Sequence, residues 1–410
     1  MNGRVLVGCW VSALCLLGGC GRTEARDDTL HGRVVDQFDQ PLPRVDVVVG
    51  DVVTATDEEG RFSIDGADAP YDVVLRPYRD VFAYQGMSSR NPVFKLTNVV
   101  APDSEHHHAP ITVTFPASAP GVETTMVAWL EGAATHAGFG TNGYDSALRE
   151  YSLTWLGDET CDLVSYAFQY EIDSTGAPTR YLGYDELRAP ITSGEPFDWS
   201  VEWRAMRFET APIRATAVLP DNYGIWSVRA AMRPTSGSGA FWFLDATPAG
   251  PDVSLLVPDV PGATFDLAVL TADDEASSSR RTSGLTTVSA PARVVVEPGP
   301  TSVDPPPDAT GISGDTRFSW AQGNEAIAFA NILPKAEGAP SYYIATADSS
   351  LKLPDLSLLG EDLPPAAEYE WAVFVTTAAS LDEFAAHGTE LPNLPASTYA
   401  YSTYRTFTTR

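Results

Sequence analysis

Lysine is nearly absent from this chain. Of 26 basic residues only Lys95, Lys335 and Lys352 are lysines, and 54 acidic residues leave a net charge of -28 over 410 residues. With no basic stripe to neutralise phosphates, nucleic acid is excluded as a partner. Cysteine is scarce too, at Cys9, Cys15, Cys20 and Cys161, so no disulfide framework can be drawn. Beyond the first twenty residues no apolar run approaches the ~18–20 residues that cross a bilayer as a helix. Long helical periodicity is missing, as are a Gly-rich phosphate loop, a His-Glu-x-x-His helix and a nucleophile elbow. What the chain does have is 32 Gly, 32 Pro and 44% apolar residues, which suits many short strands joined by tight turns. The expected class is therefore all-β, built as tandem antiparallel β-sandwiches.

Residues 1–19 read as a secretory signal. Arg4 supplies the single cation, residues 5–17 are apolar, and Gly18-Gly19 precede Cys20. The sequence Leu17-Gly18-Gly19-Cys20 resembles the lipobox of bacterial lipoproteins. The resemblance implies that Cys20 is acylated and becomes the first mature residue, and Gly21, in place of a retaining Asp, implies delivery to the outer membrane. Two or three acyl chains supply the anchoring that a single chain cannot. Residues 20–28 are a short polar tether. Once the signal leaves and Cys20 is lipidated, only Cys161 remains a thiol, and Asp158, Glu159 and Asp162 around it disfavour a thiolate.

Residues 29–117 open with a strand at 30–36, an alternating stretch over 41–49, and the turn Asp57-Glu58-Glu59-Gly60 followed by Arg61-Phe62-Ser63-Ile64. This series resembles the carboxypeptidase-regulatory-like domain, a transthyretin-related sandwich of the carbohydrate-binding-like superfamily. The resemblance implies an accessory module in which Gly60 serves the hairpin and Phe62 the core, not a peptidase. The only His-x-x-Glu, His387-Gly388-Thr389-Glu390, has no histidine after it, whereas a catalytic zinc takes three protein ligands.

Residues 118–297 alternate strand patterns with turns, at 124–130, 150–156, 164–172, 197–208, 213–218, 225–232, 253–257, 265–270 and 292–296, and make one large sandwich or two small ones. Trp199, Val201 and Trp203 share one face of the 197–208 stretch. Residues 298–311 carry Pro298, Pro300, Pro305, Pro306 and Pro307 and read as a semi-rigid linker. Residues 312–410 resemble a fibronectin type III domain through Trp320, the Leu363-Pro364 turn ahead of Tyr369, and a final strand over 405–409. Ser380 to Glu383 form a capping box with Gly388 as C-cap, which predicts a short inserted helix.

Sites are sparse. In His106-His107-His108 only the first and third side chains of an extended chain share a face, so the cluster reads as a loop tip and no metal or other cofactor is expected. The acidic runs 57–59 and 273–275 lack calcium-loop spacing and read as solvated turns. No catalytic residue is assigned. The middle region is rich in aromatics, most of which a sandwich core absorbs, but Phe241-Trp242-Phe243 cannot all point inward. Because the pair buries more area than the single ring, Trp242 is expected on the exposed side, as a candidate binding residue. The resulting expectation is a non-enzymatic, lipid-anchored envelope protein acting as an adhesion, scaffold or carbohydrate-binding module, with a polysaccharide or an envelope protein as partner. The alternative, a secreted hydrolase with its site in the middle region, requires a concave cluster of titratable groups there.

Overall fold

The computed structural model describes residues 29–97, 99, 106–131, 138–144, 148–234, 239–321, 327–360, 363–388 and 398–410. Cys20 and the signal and tether around it lie outside the described residues. Within them the chain is almost entirely β-strand, arranged as four two-sheet sandwiches whose cores are aliphatic and aromatic.

The first sandwich holds β1 (Leu30–Asp36), β2 (Asp46–Val49), β3 (Val52–Ala55), β4 (Arg61–Ile64), β5 (Tyr71–Arg76), β6 (Val81–Met87) and β7 (Val93–Leu96). The sheet β4-β1-β7 faces the run β3-β2-β5-β6. Strand β4 shows the alternation at its plainest, with Phe62 and Ile64 buried and Arg61 and Ser63 exposed. Gly60 has φ 71° and abuts the Val34 carbonyl with no room for a Cβ, so the hairpin needs glycine there.

The second holds β8 (His107–Thr114), β9 (Val122–Glu131), β10 (Gly138–Tyr144), β11 (Leu148–Trp155), β12 (Thr160–Ile172), β13 (Pro178–Thr192), β14 (Phe197–Ser200) and β15 (Arg204–Ala205). Its sheets are β11-β8-β14 and β10-β9-β12-β13-β15. The stretch 197–208 is thus two strands and not one. The chain leaves β8 after Ser200, passes Val201 to Trp203 without pairing as strand, and joins β13 in the opposite sheet at Arg204.

The third holds β16 (Thr210–Val218), β17 (Gly224–Arg233), β18 (Phe241–Ala246), β19 (Asp252–Pro258), β20 (Thr264–Ala272), β21 (Ala276–Leu285) and β22 (Ala292–Val295), as sheets β19-β16-β22 and β18-β17-β20-β21. It packs directly on the second sandwich. Met126, Ala128 and Leu130 of β9 enter one core while Val127 and Trp129 enter the other, which explains the unbroken apolar run there. The backbones come so close that Gly140 lies against the Trp242 carbonyl with no room for a Cβ.

The fourth holds β23 (Thr301–Asp304), β24 (Ala309–Ile312), β25 (Arg317–Ala321), β26 (Ile327–Pro334), β27 (Tyr342–Thr346), β28 (Ser350–Lys352), β29 (Glu368–Thr376), α1 (Leu381–His387), β30 (Thr398–Ser402) and β31 (Arg405–Thr409). Trp320, Trp371, Tyr369 and Phe407 are all buried in its core. The Ser380 side chain caps α1 by accepting from Glu383 N at 3.1 Å, and the Gly388 N–H closes its other end on Phe384 O.

The expected linker 298–311 is corrected by this arrangement. β23 pairs with β25, and β24 pairs with β31. Both are edge strands, where proline removes no ladder bond, so a proline-rich composition and strand structure are compatible.

Each sandwich contains a parallel pair between an early and a late strand: β1 with β7, β8 with β14, β16 with β22, β24 with β31. The sandwiches are also stitched edge to edge. β21 pairs antiparallel with β30, and β27 pairs parallel with β6, so strands of the third, fourth and first sandwiches form one 14-stranded sheet. Asp382 on α1 reinforces the β6 junction, accepting from Ser88 Oγ at 2.5 Å and Ser89 N at 3.0 Å.

Candidate aromatic trough

Alternation along the long sheet decides what each face carries. On one face, Val228, Ala230, Leu267 and Val269 lie under β16, β19 and β22, and Ala328, Ala330, Val373 and Ala400 lie in the fourth sandwich's core. The opposite face is covered by β4, β1 and β7 at the first sandwich and then by α1. Past α1, across β30, β21, β20, β17 and β18, that face bears a hollow of ≈ 410 Å³.

The hollow has a simple cause. Its central strands contribute small or slender side chains, Ala268 and Leu270 on β20 and Ser277 and Ser279 on β21. Large rings stand on either side, Trp226 and Trp242 on β17 and β18, Tyr399 and Tyr401 on β30. With strands ~4.8 Å apart, the four spacings from β18 to β30 amount to roughly 19 Å. The junction between β21 and β30 runs through this floor, and Ser279 Oγ ties it by donating to Tyr399 O at 2.9 Å.

Trp242 lies where period two puts it. Phe241 and Phe243 are buried, the latter completely, while Trp242 is partly exposed on the other face. Each tryptophan is backed by a guanidinium that a carboxylate holds. Arg281 lies 5.1 Å from the Trp242 ring centroid and donates through Nε to Asp266 Oδ2 at 3.0 Å. Asp266 is fully buried and also takes Arg233 at 2.8 Å. Arg229 lies 5.6 Å from the Trp226 ring and donates through Nε to Asp245 Oδ2 at 3.0 Å, a carboxylate that Ser227 Oγ also reaches. Such cation–π contacts fix the ring planes.

Burial, and secondarily Tyr404 and Tyr401, pushes the Tyr399 hydroxyl well above its ordinary value, so it stays protonated. Among the described residues lining the trough are arginines, serines and aromatics, with no histidine, carboxylate, lysine or cysteine. That inventory offers stacking surfaces and hydroxyls.

The remaining clusters that the sequence singles out lie elsewhere. The His107 ring packs 5.6 Å from Trp155 and its Nε2 lies 3.1 Å from Gly157 O. His106 sits before β8, 4.7 Å from the Phe38 ring, with Nε2 4.0 Å from Asp36. His108 accepts Gly194 N on its backbone carbonyl. The expected loop tip is thus corrected, since His107 and His108 pair in β8 with Trp155 and Thr154 of β11, and among the described residues no group of three or more His, Cys, Asp or Glu side chains could hold a metal ion. Asp57 and Asp273 each fold their own turn, accepting from Glu59 and Arg61 N and from Glu275 and Ala276 N. Cys161 is buried in the second sandwich's core, and burial first, then Asp158 and Asp162, raises its thiol. Further hollows lie elsewhere, ≈ 370 Å³ beside Ser313, Asp315, Asp355 and Arg410, ≈ 180 Å³ beneath α1 beside Lys95, and ≈ 190 Å³ between the second and third sandwiches beside Tyr166 and the ion pair of Glu131 with Arg188.

Tyr399 and Tyr401 were not connected with Trp242 by sequence reasoning. The available signal was their period-two spacing around the small Ala400, but no local pattern says that β30 lies beside β21.

No protein-family model and no curated protein matches the chain. Among solved structures, a leucine-rich repeat protein from Bacteroides thetaiotaomicron aligns at 14% identity over 45% of this chain and 23% of its own, with a TM-score of 0.17. Alpha-2-macroglobulin from E. coli aligns at 8% identity over 91% of this chain and 27% of its own, with a TM-score of 0.13. The chain thus spans about a quarter of the length of either, and similarity at this level carries no functional argument.

Proposed function

We propose that this protein is a non-enzymatic lipoprotein of the bacterial outer membrane, anchored through acylated Cys20, whose fused sandwiches hold a binding face toward an envelope polysaccharide or protein. On this reading the first sandwich is the carboxypeptidase-regulatory-like module and the fourth the fibronectin type III-like module; the bounds expected for them, 29–117 and 312–410, shift because β8 pairs with β11 and β14 of the second sandwich, and β23 and β24 pair with β25 and β31 of the fourth. The observation that carries the reading is the trough, a partly exposed aromatic face on a sheet whose same face is covered at the first sandwich and by α1. Among the described residues no helix is long and apolar enough to cross a membrane; the support for the anchor is the lipobox-like Leu17-Gly18-Gly19-Cys20.

Two experiments test it. Cys20→Ala abolishes metabolic labelling by fatty acid and releases the chain from membranes; unchanged membrane partition contradicts the anchoring. The full chain, purified in a polyoxyethylene detergent, co-sediments saturably with isolated envelopes and liberates no soluble fragments. Fragment release in proportion to protein added would instead establish the hydrolase alternative.

A further inference from the structure

We infer that the trough is a binding site for a neutral polysaccharide, laid across β18, β17, β20, β21 and β30. This rests on the binding reading above and narrows its partner to one chemistry.

Charge argues first. The guanidiniums nearest the trough are already met by carboxylates, Arg229 by Asp245 and Arg281 by Asp266, on a chain whose net charge is -28. A polyanion would meet long-range repulsion, with both trough arginines already committed to carboxylates. Polypeptide is disfavoured by hydrogen bonding. β17, β20, β21 and β30 are each paired on both sides, so a peptide finds no edge for strand addition on them. The outer edge of β18 is occupied as well, with Thr125 Oγ1 against the Phe243 carbonyl.

A neutral sugar chain needs neither charge nor edge. It needs flat rings to receive the C–H faces of its pyranoses and hydroxyls to exchange hydrogen bonds with its own. The trough supplies both, in Trp226, which is 42% exposed, and Trp242, Tyr399 and Tyr401, with Ser277 on the floor. The arginines act on the rings and not on the ligand. A guanidinium against a tryptophan fixes its plane before binding, so less side-chain freedom is lost when a sugar stacks. Asp266 holds the Arg281 guanidinium that lies 5.1 Å from the Trp242 ring centroid.

The test titrates the full chain, in the same sugar-free detergent, with dextran, mannan and xylan as neutral probes and polygalacturonate as the anionic one, following tryptophan fluorescence and affinity electrophoresis. At least one neutral probe binds, with an affinity nearly independent of salt between about 50 and 500 mM, concentrations chosen so that screening would expose an ionic contribution. Trp242→Ala weakens it by about tenfold or more, Trp226→Ala by less, and Trp242→Phe restores most of the affinity. Binding confined to polygalacturonate, binding to none of the neutral probes, or equal affinity for wild type and Trp242→Ala overturns the inference. The envelope assay keeps the two proposals separable. Trough-dependent co-sedimentation without any neutral-glycan binding sinks the ligand class alone, whereas glycan binding without co-sedimentation sinks the envelope reading.

Discussion

One face of one sheet is treated in two ways along its length. Over β2, β5 and β6 it carries Val47, Val49, Val73, Leu75, Phe82 and Tyr84, all buried beneath β4, β1 and β7. Over β18 to β30 the same face carries Trp242, Arg229, Ser277, Ser279, Tyr399 and Tyr401, and no sheet among the described residues covers it. Where a second layer arrives, branched aliphatics and phenylalanine fill it. Where none arrives, the rings and arginines are amphipathic, each with an apolar body and a polar edge or partner, and the floor between them is small, with serines beside Ala268 and Leu270. Residue type along the sheet therefore records which part is core and which part is offered to a partner.

Substitutions on the two parts should differ in what they damage. Phe94→Ala, beneath the covered part, removes a fully buried ring that packs 5.0 Å from Tyr84 and 6.2 Å from Phe62. Denaturant unfolding should show a loss of ~3–5 kcal/mol, and a loss below ~1 kcal/mol would mean that this end of the sheet is not packed as described. Asp266→Ala, beneath the trough, leaves Arg281 and Arg233 without their shared carboxylate in a buried position. It should cost ~3 kcal/mol, while Asp266→Asn, which keeps one acceptor, should cost less; equal stability of all three proteins would contradict the backing role. Asp382→Ala touches the seam between the parts, removing the bonds to Ser88 and Ser89. The expected cost is ~1–2 kcal/mol, seen as faster amide exchange in β6 and β27 and unchanged exchange in β17 and β20. Uniform acceleration everywhere would mean that the junction is not a local element.

The two parts also differ in how legible they were. The first sandwich's strands could be read from residues 30–64 because period-two alternation and Gly60 are local signals, and Trp242 could be assigned to the outer face by the same period. The edge-to-edge joins could not. β6 meets β27 through backbone bonds that any residue can make, as where the Val81 N–H donates to the Ser341 carbonyl at 2.9 Å, between positions far apart in sequence. Prolines at 298–307 suggested a linker because composition does not distinguish an edge strand from a spacer. The stretch 197–208 read as one strand because the switch between sheets preserves the alternation of Trp199 and Val201, both buried in the same core. Tyr399 and Tyr401 entered the trough only through pairing of β30 with β21, which no spacing in either strand announces.

The central claim is that the uncovered part of the sheet is a binding face and not unfinished core, and Trp242→Ala tests it with two readouts on one protein. The account predicts a stability within about 1 kcal/mol of wild type in denaturant unfolding, as for a surface side chain, together with loss of saturable co-sedimentation with isolated envelopes. A stability loss of ~3 kcal/mol or more would show Trp242 to be core, and undiminished co-sedimentation would show that the envelope is met elsewhere; either result would contradict the account.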